Sequence, residues 1–277
     1  MNFEFRAIYW RDMLKFFRFK SMLITSLIQP VMWLAFFGLA MSESFDQLTS
    51  LVPPIEGVQN VTYLSYMGAG IIAMDVLFSS LFGGTSLMFD KKFSLLRETL
   101  ASPVPRAHII LGVGLSGVTK AFIQTSMIIG FGKLIGMDFF LGYTLTETVF
   151  AIIGIFLLVA VFTLGFLFLS GSIAITIENP EGMQSILTLL SMPLFFVSNA
   201  LYPVDAFPAV LRFLSMFNPL TLLADGIRYF ALGNNFSVMG IHYMYTPADI
   251  IVSFLGLLFF ALAMLATSLW RFNKVDV

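Results

Sequence analysis

Two ionisable side chains, Asp75 and Lys120, stand inside the apolar runs 62–89 and 108–135. A charge in hydrocarbon is costly and persists where it is paired or faces a cavity. Counted from the run ends near 89 and 108, the two lie roughly 21 and 18 Å deep at about 1.5 Å per helical residue. Antiparallel neighbours would bring them level, so the expectation is an intramembrane ion pair, with Gln124 one turn above Lys120 as a further partner. Such a pair either fixes helix register or carries a proton or a substrate. Other chemistry is hard to find. Gly112-Val113-Gly114-Leu115-Ser116-Gly117 matches G-x-G-x-x-G but lies within an apolar run with no preceding strand, so Gly112, Ser116 and Gly117 are read as small residues for close helix contact. There is no phosphate-binding G-x-x-x-x-G-K-[ST], no G-x-S-x-G and no H-E-x-x-H. With no cysteine and only His108 and His242, far apart, neither a catalytic residue nor a metal site is expected.

The elements that must position these residues are membrane spans. Of 277 residues, 58% are hydrophobic and 11% charged, whereas soluble domains carry about 25% charged residues. Six apolar runs, at roughly 21–41, 62–89, 108–135, 147–175, 181–203 and 248–270, are each long enough to cross a bilayer. The fold class is therefore all-α and polytopic. The first run is too long for a signal-peptide core. Arg6, Arg11, Lys15, Arg18, Lys20, Lys91, Lys92, Arg97, Arg106, Arg271 and Lys274 share one side of an even-span model, against Lys133, Arg212 and Arg228 on the other. Basic residues are retained in the cytoplasm, so both termini are expected inside a cell (inner or plasma) membrane. Thr144 with Glu147, Thr246 with Asp249 and Asn179 with Pro180 read as helix starts.

Three segments exceed simple connectors. Residues 3–20 set Phe5, Tyr9, Met13, Phe16 and Phe17 opposite a stripe of Arg11, Lys15 and Arg18. That pattern suits an amphipathic interfacial helix with Trp10 as headgroup anchor, or else a plain basic tail. In the loop 90–106, Phe93, Leu96 and Leu100 share one face of a short helix that needs a cover, either a partner protein or the first helix. Residues 202–246 are too apolar for a solvated loop and too broken by prolines to span. They read as short re-entrant helices on the outside, one opened by Asn218-Pro219, closed by Gly233, and carrying an Asp225–Arg228 pair on its surface.

This order of parts resembles the ABC-2 exporter permease family across nearly the whole chain. Arg97-Glu98-Thr99-Leu100-Ala101-Ser102-Pro103-Val104-Pro105-Arg106 is similar to its cytoplasmic coupling segment. Phe207-Pro208, Phe217-Asn218-Pro219-Leu220, Asp225 and Arg228 are similar to its C-terminal signature. The resemblance implies a single transmembrane domain, 1–277, that works as a dimer with a separate nucleotide-binding ATPase subunit. ATP and Mg would be bound by that partner, and this chain would hold no cofactor. Phe93, Leu96, Arg97, Glu98 and Leu100 would make the ATPase contact, together with the interfacial helix. Cargo would leave outward through the dimer interface, and the apolar spans favour a hydrophobic, amphipathic or lipid-linked cargo. The alternative is a self-contained secondary transporter that uses Asp75 and Lys120 for ion coupling, or else a membrane-embedded enzyme. A nucleic-acid partner has no basic surface to rest on.

Overall fold

The computed structural model describes residues 5–50, 57–101, 105–204 and 207–274. Twelve helices are described: α1 Phe5–Arg18, α2 Lys20–Met32, α3 Leu39–Ser50, α4 Tyr63–Gly83, α5 Thr85–Lys92, α6 Leu95–Ala101, α7 Arg106–Leu134, α8 Leu145–Thr176, α9 Pro180–Phe196, α10 Ala209–Met216, α11 Pro219–Leu232 and α12 Pro247–Asn273. A π-helical segment, Trp33–Gly38, joins α2 to α3. Among the described residues, five stretches are long and apolar enough to cross a membrane: Leu23–Phe45, Tyr63–Lys92, Arg106–Leu134, Leu145–Thr176 and Pro247–Asn273. The chain is a polytopic α-helical membrane protein.

The helix starts follow from local chemistry. The Thr144 hydroxyl accepts from the Glu147 amide at 3.3 Å while the Glu147 carboxylate accepts from the Thr144 amide at 2.7 Å, and Thr246 with Asp249 repeats this at 3.3 and 2.8 Å. Each box satisfies backbone donors that α8 and α12 would otherwise leave free. Asn179 caps α9 by accepting from Gly182, and Pro180 follows at the first helical position. The span expected over 181–203 is shorter, because α9 contains Pro193 and stops at Phe196.

The core forms around α8, against which α4, α7, α11 and α12 all pack. Ile155, Val159, Phe162 and Phe166 of α8 are buried there, as is nearly all of α4 from Tyr63 to Ala73. In lipid such contacts gain mainly from close packing, since hydrocarbon tails are as apolar as the side chains. Gly70 shows how close: a Cβ there would lie 1.6 Å from the Ala200 carbonyl oxygen.

The segment after α9 holds α10 and α11, bent by 74° where they meet at Phe217-Asn218. It also holds a hairpin that the helical reading of 202–246 left out. Strands β2 Asn235–Val238 and β3 Ile241–Met244 pair antiparallel, and β1 Gln59–Asn60 adds to β2 in parallel. Met239 and Gly240 have φ of 51° and 75°, the paired left-handed backbone of a two-residue type I′ turn.

Candidate transport site

The spacing Ile8, Asp12, Phe16 is one residue per turn, and all three are buried. Their face lies on α7 and runs in step with it: Phe5 meets the His108 ring, Ile8 fills the space over Gly112, and the Lys120 ammonium sits 5.7 Å from the Phe16 ring centre. Asp12 therefore reaches Lys120 at 2.6 Å and also accepts from the Ser116 and Ser86 hydroxyls. Burial pushes the Asp12 carboxyl up, but the Lys120 ammonium and its hydrogen bond, with Ser116 and Lys15, outweigh that and hold it below the ordinary carboxylate range. Beside it, Arg11 and Lys15 pair with the buried Asp90 of α5 at 2.6 and 2.8 Å. The cationic stripe of α1 is thus partly committed within the chain, whereas Trp10 and Arg18 are exposed.

The expected Asp75–Lys120 pair does not form. Helices α4 and α7 do pack against each other, but α1 lies along the face of α7 that carries Lys120 and supplies a nearer carboxylate. Asp75 looks instead into a chamber of about 540 Å³ bounded by α2, α4, α7 and α9, which Gln29, Gln124 and Gln184 also line. A second chamber of about 620 Å³ contains Asp12, Asp90 and Lys120. Ser26, Ser79, Phe82 and Gln124 border both, so the two adjoin. An ion-coupling scheme in which Asp75 and Lys120 face each other loses its geometry.

Gln124 holds its place because of a proline. Pro30 has no N–H to give to the carbonyl four residues earlier, so the Ser26 oxygen of α2 is left free. The Gln124 amide donates to it at 3.3 Å, which ties α2 to α7 across the chambers.

The tip formed by α5 and α6 turns at Ser94, whose φ of 63° reverses the chain between them. Phe93 is 67% exposed and Glu98 is exposed, but Leu96 is 5% exposed and so does not share the open face expected for it. The reversal at Ser94 separates Phe93 from the helix that carries Leu96. The side chains of Arg97 and Leu100, and residues 102–104, lie outside the described residues. At the other end, Asn218 accepts from the Leu220 amide at 2.9 Å and Pro219 opens α11. Asp225 and Arg228 do pair, at 3.6 Å, but Arg228 is wholly buried rather than on a surface. It donates to the Asn199 and Ala200 carbonyls at 2.7 and 3.0 Å and lies 3.7 Å above the Tyr66 ring. Asp225 accepts from Asn199 and Tyr245 at 2.6 and 2.7 Å. Together these contacts clamp α11 to α4 and to the loop after α9.

Residues 3–232 match the family model described as ABC-2 type transporter. The chain belongs to this family. The ABC-2 permease is 27% identical over 227 residues to the protein named as transport permease ycf38 in Pyropia yezoensis, covering 82% of this chain and 73% of that one. To the inner membrane transport permease YadH of Escherichia coli strain K12 it is 24% identical over 219 residues, 79% and 80% of the two chains. A daunorubicin resistance ABC transporter permease protein, DrrB1 of Streptomyces coeruleorubidus, is 20% identical over 79% and 71%. The family is the transmembrane subunit of a transporter rather than its ATPase, and usually works with an ATPase subunit.

Two acids that organise the ABC-2 permease, Asp12 and Asp90, escaped the sequence reading. Asp12 had a visible signal, because it interrupts the stripe Ile8, Asp12, Phe16 at the point that must be buried. Asp90 had none, since it reads as the first charge of a polar loop.

Proposed function

We propose that this permease subunit exports a hydrophobic, amphipathic or lipid-linked substrate, driven by a separate ATPase subunit acting on the face that carries α1, α5 and α6. The observation that carries this reading is the pairing of Arg11 and Lys15 with Asp90 and of Asp12 with Lys120. Through these bridges a push on the exposed tip at Phe93 and Glu98 reaches α7 and the helices around both chambers. The basic residues of this face set it in the cytoplasm by the positive-inside rule, with both termini there and the hairpin outside the cell membrane. ATP-driven closure of two ATPases would then move two permease copies between inward-open and outward-open states.

A second copy fits the uncovered face of α2. The span Leu23–Phe45 is the least buried of the five, and its exposed face includes Gln29 together with Ile28, Met32 and Phe36. Gln29 also lines the Asp75 chamber, so a second copy seated on this face would border that chamber and cover the amide from lipid. The daunorubicin resistance named for one relative fits an outward-moving amphipathic cargo. The test is reconstitution in liposomes with the ATPase that co-purifies. Outward movement should require ATP and fall severalfold in Phe93→Ala/Glu98→Ala with the complex intact; transport with no ATPase present overturns the reading.

A further inference from the structure

We propose that the Asp75 chamber is a binding site for an amphipathic organic cation, in which a protonated amine is held by Asp75 and its apolar body by the surrounding rings. Gln29, Gln184, Ser79 and Trp33 bring donors to the chamber lining, yet two of its buried acceptors stand unpaired. Asp75 Oδ2 and Gln124 Oε1 are both buried and have no hydrogen-bond partner among the described residues, although buried acceptors in proteins are nearly always satisfied. Gln124 cannot turn its amide to Asp75 without releasing the Ser26 carbonyl. No lysine, arginine or histidine lines the chamber among the described residues, and Lys120 next door is already spent on Asp12.

An ammonium group supplies the missing parts, with a positive charge and several N–H donors on one small centre. The walls suit the rest of such a molecule. Trp33, Phe78, Phe82, Phe195 and Phe196 line the chamber with Met74, and aromatic faces attract cations as well as apolar groups. A volume of about 540 Å³ suits a small amphipathic molecule. Entry is provided by the adjoining chamber, which reaches Asp12 and Asp90 past Ser26, Ser79, Phe82 and Gln124. A zwitterionic amine lipid fits less well, because its phosphate would find no cation beside Asp75.

This inference deepens the exporter reading and rests on it for the direction of movement, not for binding. The test uses the full chain with its co-purifying ATPase in phosphatidylcholine nanodiscs, without nucleotide. The probes are a dansyl-tagged long-chain primary amine and its N-acetylated, uncharged counterpart, followed by fluorescence titration. The wild type should bind the amine about tenfold or more tightly than the acetylated probe. Asp75→Asn should abolish that preference while sparing the acetylated probe, and Asp75→Glu should keep it. Gln184→Lys, at the chamber rim, should weaken amine binding severalfold, which tests the site independently of whether Asp75→Asn folds. Equal binding of the two probes by the wild type, or an unchanged preference in Asp75→Asn, overturns the proposal. Displacement of the amine by added phosphatidylethanolamine overturns the choice of a net cation. An amine preference without ATP-driven transport refutes the exporter reading alone, and ATP-driven transport without the preference refutes this site alone.

Discussion

Asp12 and Arg228 are two charges handled in the same way, each buried and each dependent on partners from distant parts of the chain. Removing one partner of such a group strands the other. Asp12→Ala leaves Lys120 unpaired with 21% of its side chain exposed, so a loss near the low end of the usual range, about 3 kcal/mol, is expected as a lower melting temperature in nanodiscs. Asp12→Leu/Lys120→Met should recover most of it. The pH dependence follows from the lowered Asp12 carboxyl: its contribution is complete above the unfolded value of about 3.9 and is lost as pH falls through the lower folded value. Asp12→Asn should therefore show a flatter melting profile than the wild type in acid. Arg228 has a stricter geometry, with one nitrogen on two carbonyls and the plane over Tyr66. Arg228→Lys keeps the charge but loses the planar stack on Tyr66 and the reach to both carbonyls from a fixed plane, so it should cost about 2 kcal/mol or more in the same assay. If lysine is tolerated at full stability, the clamp is not geometric.

Among the elements, α2 is the one whose sequence contradicts its own regularity. Pro30 breaks a rung, Gln124 of α7 takes the freed carbonyl, and the π-helical turn Trp33–Gly38 follows. In a Pro30→Ala background the backbone can supply the missing N–H, so Gln124→Leu should cost less there than in the wild type. A coupling of about 0.5–3 kcal/mol in the double-mutant cycle would measure that dependence, and strict additivity would exclude it. The elements themselves were legible to different degrees. Five of the six expected spans, the caps and the Asn218-Pro219 start announced themselves because hydropathy and capping are local. The hairpin was hidden because its turn is Met239-Gly240 rather than the usual Asn-Gly, and its strands alternate weakly between two helices. The Asp75–Lys120 expectation failed for a different reason: depth along a helix is readable from sequence, but which neighbour faces a given side is a tertiary fact, and α1 intervened.

For the whole molecule, the proposed second copy would cover the exposed face of the span Leu23–Phe45, the least buried of the five. The chain has no cysteine, so single introduced thiols report contacts without background. Ile28→Cys or Phe36→Cys should give covalent dimers in membranes under mild oxidation, whereas Phe259→Cys on the exposed face of α12 should not. The reverse pattern would move the interface to α12. The bridge from the Gln124 amide to the Ser26 carbonyl matters at this scale too. A rod bolted to its support at one point along its length is a lever with a fulcrum. If α1 is pushed along α7, the stretch of α2 before Ser26 follows it, and the stretch beyond the π-turn must swing the opposite way. Spin labels at Lys20 and Leu39 should then report opposite displacements relative to α8 during ATP turnover, and parallel displacements would show the bolt to be slack.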